Sequence, residues 1–374
     1  MHTLSDLLQK SACALLTFLL PLSSLAGADS GQALAVNMFR LLVSQEEGNV
    51  VFSPSSAEAV LHMLSEGAGG ATRAELQALP YGKQGVASTL STESAQALFV
   101  AEDMALKPRH TQNIYRLSFA GNPQKAAQSI NTWCQEKTRG KISELLKPQD
   151  ITPLTRLVAA NAVYLRGSWL HPFDPAHESE FILSGGKVTK TFMMGKTATF
   201  AYASGQDWQA VALPYKPQQK GEAAYFIGIL PAGDARAYAA GLTPQLLSSI
   251  RRQLAQATPA RGLVQLPRFE HVTPTYSLKP ALMQLGVRRA FDNRAADFSG
   301  FADEPLVLED VKQKCLIKVD EEGTEAAAAT AGIISLRSMP RLDFILTFDR
   351  PFLWLICDLT TDAPPYFMGL FEKP

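Results

Sequence analysis

The sequence has 374 residues, 46% hydrophobic and 19% charged, with 35 lysines and arginines balanced by 35 aspartates and glutamates. This is an ordinary globular composition, long enough for one large core or two modest ones. Zero net charge gives no reason to expect nucleic acid or an acidic membrane as a partner.

The first 28 residues read as a secretory signal. Lys10 supplies positive charge, diluted by Asp6. Residues 12–20 are apolar but too short to span a bilayer, and Ala26-Gly27-Ala28 offers small residues for cleavage. The alternative is an amphipathic helix that stays attached. Residues 31–44 have helical spacing, with Leu34, Met38, Leu41 and Leu42 on one face. A short strand over 49–52 leads to Ser53-Pro54, a cap and first-turn pair for a helix through Val60, Leu61 and Leu64. The glycines of GAGGA (67–71) stop that helix, and Thr72 is expected to cap a short one ending near Leu79. Alternation over 94–107 predicts a strand carrying Leu98, Val100 and Met104; residues 124–138 form a helix with Ala127, Ile130 and Trp133 inward. Residues 157–165 read as a buried strand, and strand-like runs recur at 192–203, 208–214 and 223–230. Helices are expected at 244–255 and 278–285. Long strands with interleaved helices, and no strict βαβ beat, indicate an α+β fold on a large sheet.

Marks of an enzyme are missing. The sequence has no GxSxG elbow, HExxH, GxGxxG after a strand, or P-loop. His171 and His177 are six apart and fit no common zinc pattern, so no metal and no cofactor are expected. Cys13 falls in the signal. Cys134, Cys315 and Cys357 have no CxxC spacing and read as buried apolar residues, with one disulfide left open.

From 314 to 320 the chain alternates, with Cys315, Ile317 and Val319 on one face and Leu316, Lys318 and Asp320 on the other. The following EEGTEAAAATAG (321–332) has no large apolar residue. It is either a short alanine-rich helix, marginal without an anchor, or a long functional loop.

That segment, over 321–330, resembles the hinge of the serpin family, and the resemblance covers essentially the whole chain from 29 onward. NVVFSPSSAEAVLHMLSEGAGGATRAELQAL (49–79), INTWCQEKTRGKISELL (130–146) and NAVYLRGSWLHPF (161–173) are family-like. So are LPRFE with LKPALMQLGVRRAFDNRAADF (266–298), and LTFDRPFLWLI (346–356) followed by Phe367-Met368-Gly369. The resemblance implies a single domain over 29–374 with a serpin fold. That fold has a large central mixed β-sheet, two smaller sheets, about eight or nine helices and an exposed reactive-centre loop near 321–341. It also implies a trap in which a protease cuts the loop, stays covalently attached as an acyl-enzyme, and is carried away as the loop inserts into the sheet.

An inserted strand sends alternate side chains into the covered face, which here would be Thr324, Ala326, Ala328 and Thr330, all small. The remaining hinge residues are Glu321, Glu322, Gly323, Glu325, Ala327 and Ala329. Gly323 would supply freedom to bend, and no proline interrupts 321–339. Family spacing makes Arg337–Ser338 the bait bond, flanked by Ile334, Ser335, Leu336 and Met339. Arginine suits the acidic pocket of a trypsin-like serine protease. Leu336 leaves papain-like cysteine proteases as an alternative target, and a non-inhibitory carrier or chaperone is a further one.

The family's polar cluster beneath the sheet centre maps to Ser53, Ser56, Asn161 and Gln313, with Gln313 where a histidine is usual. Trp169 matches the tryptophan near the start of the inserting strand. The stretch 79–94 is too short for the extra basic helix of many animal members, so heparin activation is not expected. A monomer, secreted to the periplasm or the extracellular space, is the resulting expectation.

Overall fold

The computed structural model describes residues 30–81, 91–108, 113–217, 223–324 and 341–374. The expected signal at 1–28 lies outside them. Helix α1 (Ser30–Gln45) leads to strand β1 (Val50–Phe52), then α2 (Pro54–Gly67) and α3 (Gly70–Gln77). Strands β2 (Ser91–Ala101) and β3 (Ile114–Leu117), helix α4 (Pro123–Lys137) and the long β4 (Leu157–Ser168) follow. Next come β5 (Asp174–Ile182), β6 (Val188–Ser204), β7 (Trp208–Pro214) and β8 (Tyr225–Pro231), with α5 (Ala235–Gly241) and α6 (Pro244–Gln256) after them. Strands β9 (Ala260–Pro267), β10 (Phe269–Val272) and β11 (Tyr276–Ser277) precede α7 (Lys279–Gln284). The chain closes with β12 (Leu308–Val319), β13 (Gly323–Thr324), β14 (Phe344–Thr347), β15 (Phe352–Cys357) and β16 (Phe367–Phe371).

The central sheet has seven strands in the order β10-β12-β13-β4-β2-β3, with β11 also on β12. Strands β4 and β12 pair directly and in parallel, from Leu157 opposite Leu308 to Tyr164 opposite Leu316. Above that ladder they part, and β13 fills the gap. The first nine residues of β4 are all buried, an apolar run interrupted only by Asn161. Such a run marks a strand covered on both faces. The alanines Ala159, Ala160 and Ala162 keep it thin enough for helices to pack against it.

The remaining strands form one nine-stranded path, β1-β16-β15-β8-β7-β6-β9-β14, with β5 on β6. The two smaller sheets of the sequence-based expectation are thus continuous through β6, whose 17 residues pair β7 at one end and β5 and β9 over the rest. One core gathers the helices on the central sheet, including Phe39, Leu64, Trp133 and Leu308. The second is built from the two sheets and includes Val163, Ile317, Phe226, Trp354 and Phe371.

Among the seven α-helices of the described residues, α4 and α6 start where the sequence puts a capping side chain just ahead of proline. Asn122 accepts from Lys125 N at 2.9 Å ahead of Pro123, and Thr243 accepts from Leu246 N at 3.1 Å ahead of Pro244. Three local expectations fail. Thr72 is not a cap but sits buried inside α3, where its hydroxyl accepts from Asp297 N at 3.0 Å. Met104 lies beyond β2, which ends at Ala101 where the backbone turns. Ser53 stands at the cap position of α2, yet its hydroxyl donates to Tyr366 O at 2.7 Å and leaves the helix uncapped. Cys134, Cys315 and Cys357 are free and buried, as apolar packing predicts.

Candidate functional site

The predicted alternation at the end of β12 is present. Cys315, Ile317 and Val319 enter the core between the sheets, and Leu316 enters the helix-side core. Beyond Val319 the chain makes a tight reversal closed by Asp320, whose carboxylate accepts from Glu322 N at 3.1 Å and Gly323 N at 3.2 Å. Asp320 N donates to Gly323 O at 2.9 Å. The reversal returns the chain between β12 and β4. There Thr324 lies opposite Val319 on one side and Gly167 on the other, with Gly323 opposite Ser168. A side chain at 323 would run into Gly167 O and come within 2.7 Å of Ser168 Cα. Only glycine fits this passage.

The strand ends around this insertion form a fixed socket. Trp169 donates from its indole to Asp320 O at 2.8 Å and from its backbone to Glu322 O at 2.9 Å. Its ring stacks on Tyr215 at 4.5 Å and meets Phe173 and Phe226 edge-on. Tyr215 Oη and Thr324 Oγ1 are 2.6 Å apart and buried, so Thr324, the first of the expected inward hinge residues, is hydrogen-bonded as well as seated. Glu321 faces the rim. Its carboxylate accepts from Ala176 N at 3.1 Å and lies 3.6 Å from Arg268, whose guanidinium covers the Phe192 ring.

About half-way down the β4–β12 ladder, Gln313 lies opposite Asn161, and Asn161 opposite Gln96 of β2. The four expected cluster residues are all buried beneath this row. They divide into two sets. The Gln313 carboxamide makes a ring with the backbone of Ser53, accepting from its N–H and donating to its C=O, both at 3.1 Å. Ser56 donates to Asn161 Oδ1 at 2.8 Å, while Gln96 donates to the Ser56 hydroxyl at 2.7 Å. A glutamine in place of histidine therefore ties β12 to the start of α2, while Asn161 ties β4 to the same helix one turn later. Among the described contacts, no side-chain bond joins Gln313 to Asn161. At this row β4 and β12 meet through the backbone ladder.

The structure thus brings Glu321, Glu322, Gly323, Thr324 and Trp169 into one socket and Ser53, Ser56, Asn161 and Gln313 into a second cluster. The expected hinge residues Glu325, Ala326, Ala327, Ala328, Ala329 and Thr330 lie outside the described residues. So do the expected bait bond Arg337–Ser338 and its neighbours Ile334, Ser335, Leu336 and Met339. Sequence reasoning missed Tyr215 and Asp320. Tyr215 only ends an apolar run and is 109 residues from Thr324, so no local pattern links them.

Residues 29–374 match the model of the serpin (serine protease inhibitor) family. The chain belongs to the serpin family. It is 35% identical over 382 residues to Serpin B6 of Pongo abelii, covering 93% of this chain and 99% of the relative. An uncharacterized serpin-like protein of Thermococcus kodakarensis is 32% identical, with 91% and 85% covered. The crystal structure of native protease nexin-1 with heparin superposes with a TM-score of 0.78 at 28% identity, covering 95% of this chain and 100% of that one. Serpins are generally protease inhibitors and not enzymes, although some do not inhibit.

Proposed function

We propose that this serpin is a secreted, irreversible inhibitor of trypsin-like serine proteases, with Arg337–Ser338 as bait. The supporting observation is the seated hinge. Thr324 already pairs with both β12 and β4, and Gly323 with β4, so insertion has a start point and a direction. The protease serine would attack the Arg337 carbonyl, forming an ester as the Ser338 amine leaves. Residues after Thr324 would then zip down between β4 and β12, breaking the pairs from Tyr164–Leu316 downward. The first four inward positions, Thr324, Ala326, Ala328 and Thr330, are all small and uncharged, so no bulky or charged side chain opposes the start of this insertion. A strand of about fifteen residues moves the attached protease roughly 50 Å. New ladder bonds at about 1 kcal/mol net apiece drive the motion, and the uncut form is held kinetically.

The test is incubation of the protein from Asp29 onward with trypsin, read by denaturing gel and by mass spectrometry of the released peptide. An SDS-stable complex and a C-terminal peptide beginning at Ser338 are expected, and Arg337→Ala abolishes both. Complete cleavage with undiminished trypsin activity refutes trapping of this target. The same assay with papain separates the cysteine-protease alternative.

A further inference from the structure

Thr324 has no exposed surface, and the only side chain bonded to its hydroxyl among the described residues is Tyr215. Tyr215 is rigidly placed. Its ring stacks on Trp169, its N–H donates to Ala224 O at 2.9 Å, and the flanking backbone of Leu170 and Lys216 ties the two strand ends together. Burial pushes its phenol far above the usual range, so it remains a neutral hydroxyl able to donate or accept. The inserted pair itself is only two residues long. So short a strand is marginal on ladder bonds alone, and one buried hydroxyl pair weighs heavily in whether it stays seated.

We propose that Tyr215 is a positioning residue that parks the intact loop, holding Thr324 in the sheet and so setting how readily a protease reaches the residues beyond it. This rests on the reading of 325–340 as protease bait. Two states follow: a parked one with Thr324 on Tyr215, and a released one with Thr324 in solvent. Removing one hydroxyl orphans the other only in the parked state, which shifts the balance toward release. Removing both leaves an apolar pair with nothing to satisfy, and the shift is largely undone.

The experiment compares Tyr215→Phe, Thr324→Val, the double variant and Thr324→Ser with the unaltered protein. The readout is the rate of native-state cleavage by thermolysin, mapped by mass spectrometry to 325–340. Each single apolar variant is expected to be cut about fivefold faster or more, the equivalent of one orphaned hydroxyl. The double variant is cut no faster than either single, and Thr324→Ser matches the unaltered protein because it keeps the bond. Equal rates throughout, or rates that multiply in the double variant, overturn the proposal. Because thermolysin cleavage needs no trapping, the two readings separate. Shifted rates without any SDS-stable trypsin complex would refute the inhibitor and leave the latch. Complexes with unshifted rates would refute the latch alone.

Discussion

Replacing Gln313 by leucine removes the carboxamide that ties β12 to the start of α2 while nearly conserving volume. Two bonds of 3.1 Å to the backbone of Ser53 are lost at a site without exposed surface. Their consequences differ. The Ser53 carbonyl still accepts from Ala57 N at 3.1 Å in the first turn of α2, so its loss is partial. The Ser53 N–H keeps no partner, and an orphaned buried donor costs about 1–3 kcal/mol. With the weakened carbonyl the sum is about 2–3 kcal/mol. At about 2.1 cal/mol/K per residue, a domain of this size has an unfolding entropy of about 0.7 kcal/mol/K, so the melting point falls by about 3–4 °C. Scanning calorimetry of the intact, uncut protein measures this. With the tie from β12 to α2 gone, polymer formation on warming is also expected to begin at lower temperature. An unchanged melting point would refute the argument that Gln313 is what satisfies Ser53.

Gly323→Ala should unseat the hinge and lower the yield of SDS-stable trypsin complex. The same passage beside Gly167 and Ser168 must accept residue 323 in the inserted form. His271 is held below its usual pKa first by burial and then by Lys373. The unfolded chain therefore binds a proton that the folded one resists, and stability is lost as pH falls below about 6.5. Urea midpoints between pH 7 and 5 should show this slope, and His271→Gln should flatten it. Burial pushes the Cys134 thiol up to about 12 and raises Cys315 and Cys357 as well. Iodoacetamide at pH 7.5 should leave all three unmodified in the folded protein and alkylate all three in guanidinium, by intact mass. Native alkylation at any of them would contradict their burial.

What was legible in the sequence follows from how local its physical cause is. The run 157–165 announces a doubly covered strand because nearly every residue is apolar, and proline with a preceding polar residue marks the starts of α2, α4 and α6. The alternation of 314–320 assigns faces correctly because β12 lies between two cores. Thr72 failed because a threonine near a helix start can cap it or bond elsewhere, and here Asp297, far along the chain, claims its hydroxyl. Ser53 failed in the same way, its hydroxyl taken by Tyr366. Gln313 could be placed in the cluster by resemblance, but not its partner. A carboxamide bonds a backbone amide through both its atoms, as a histidine ring does not. The continuity of the smaller sheets through β6 was invisible, since strand length says nothing about how many neighbours a strand acquires along it.

Strand polarity gives the socket a further meaning. Strands β4 and β12 run parallel, whereas β13 is antiparallel to both. Each residue pair that enters between them exchanges one slanted, parallel contact for two antiparallel ones, whose hydrogen bonds run perpendicular to the strands and are slightly more stable per residue. The sheet therefore has a seam where its own strand directions are the less favourable choice. The chain that follows β12 reverses at Asp320 and so arrives in the one orientation able to relieve it.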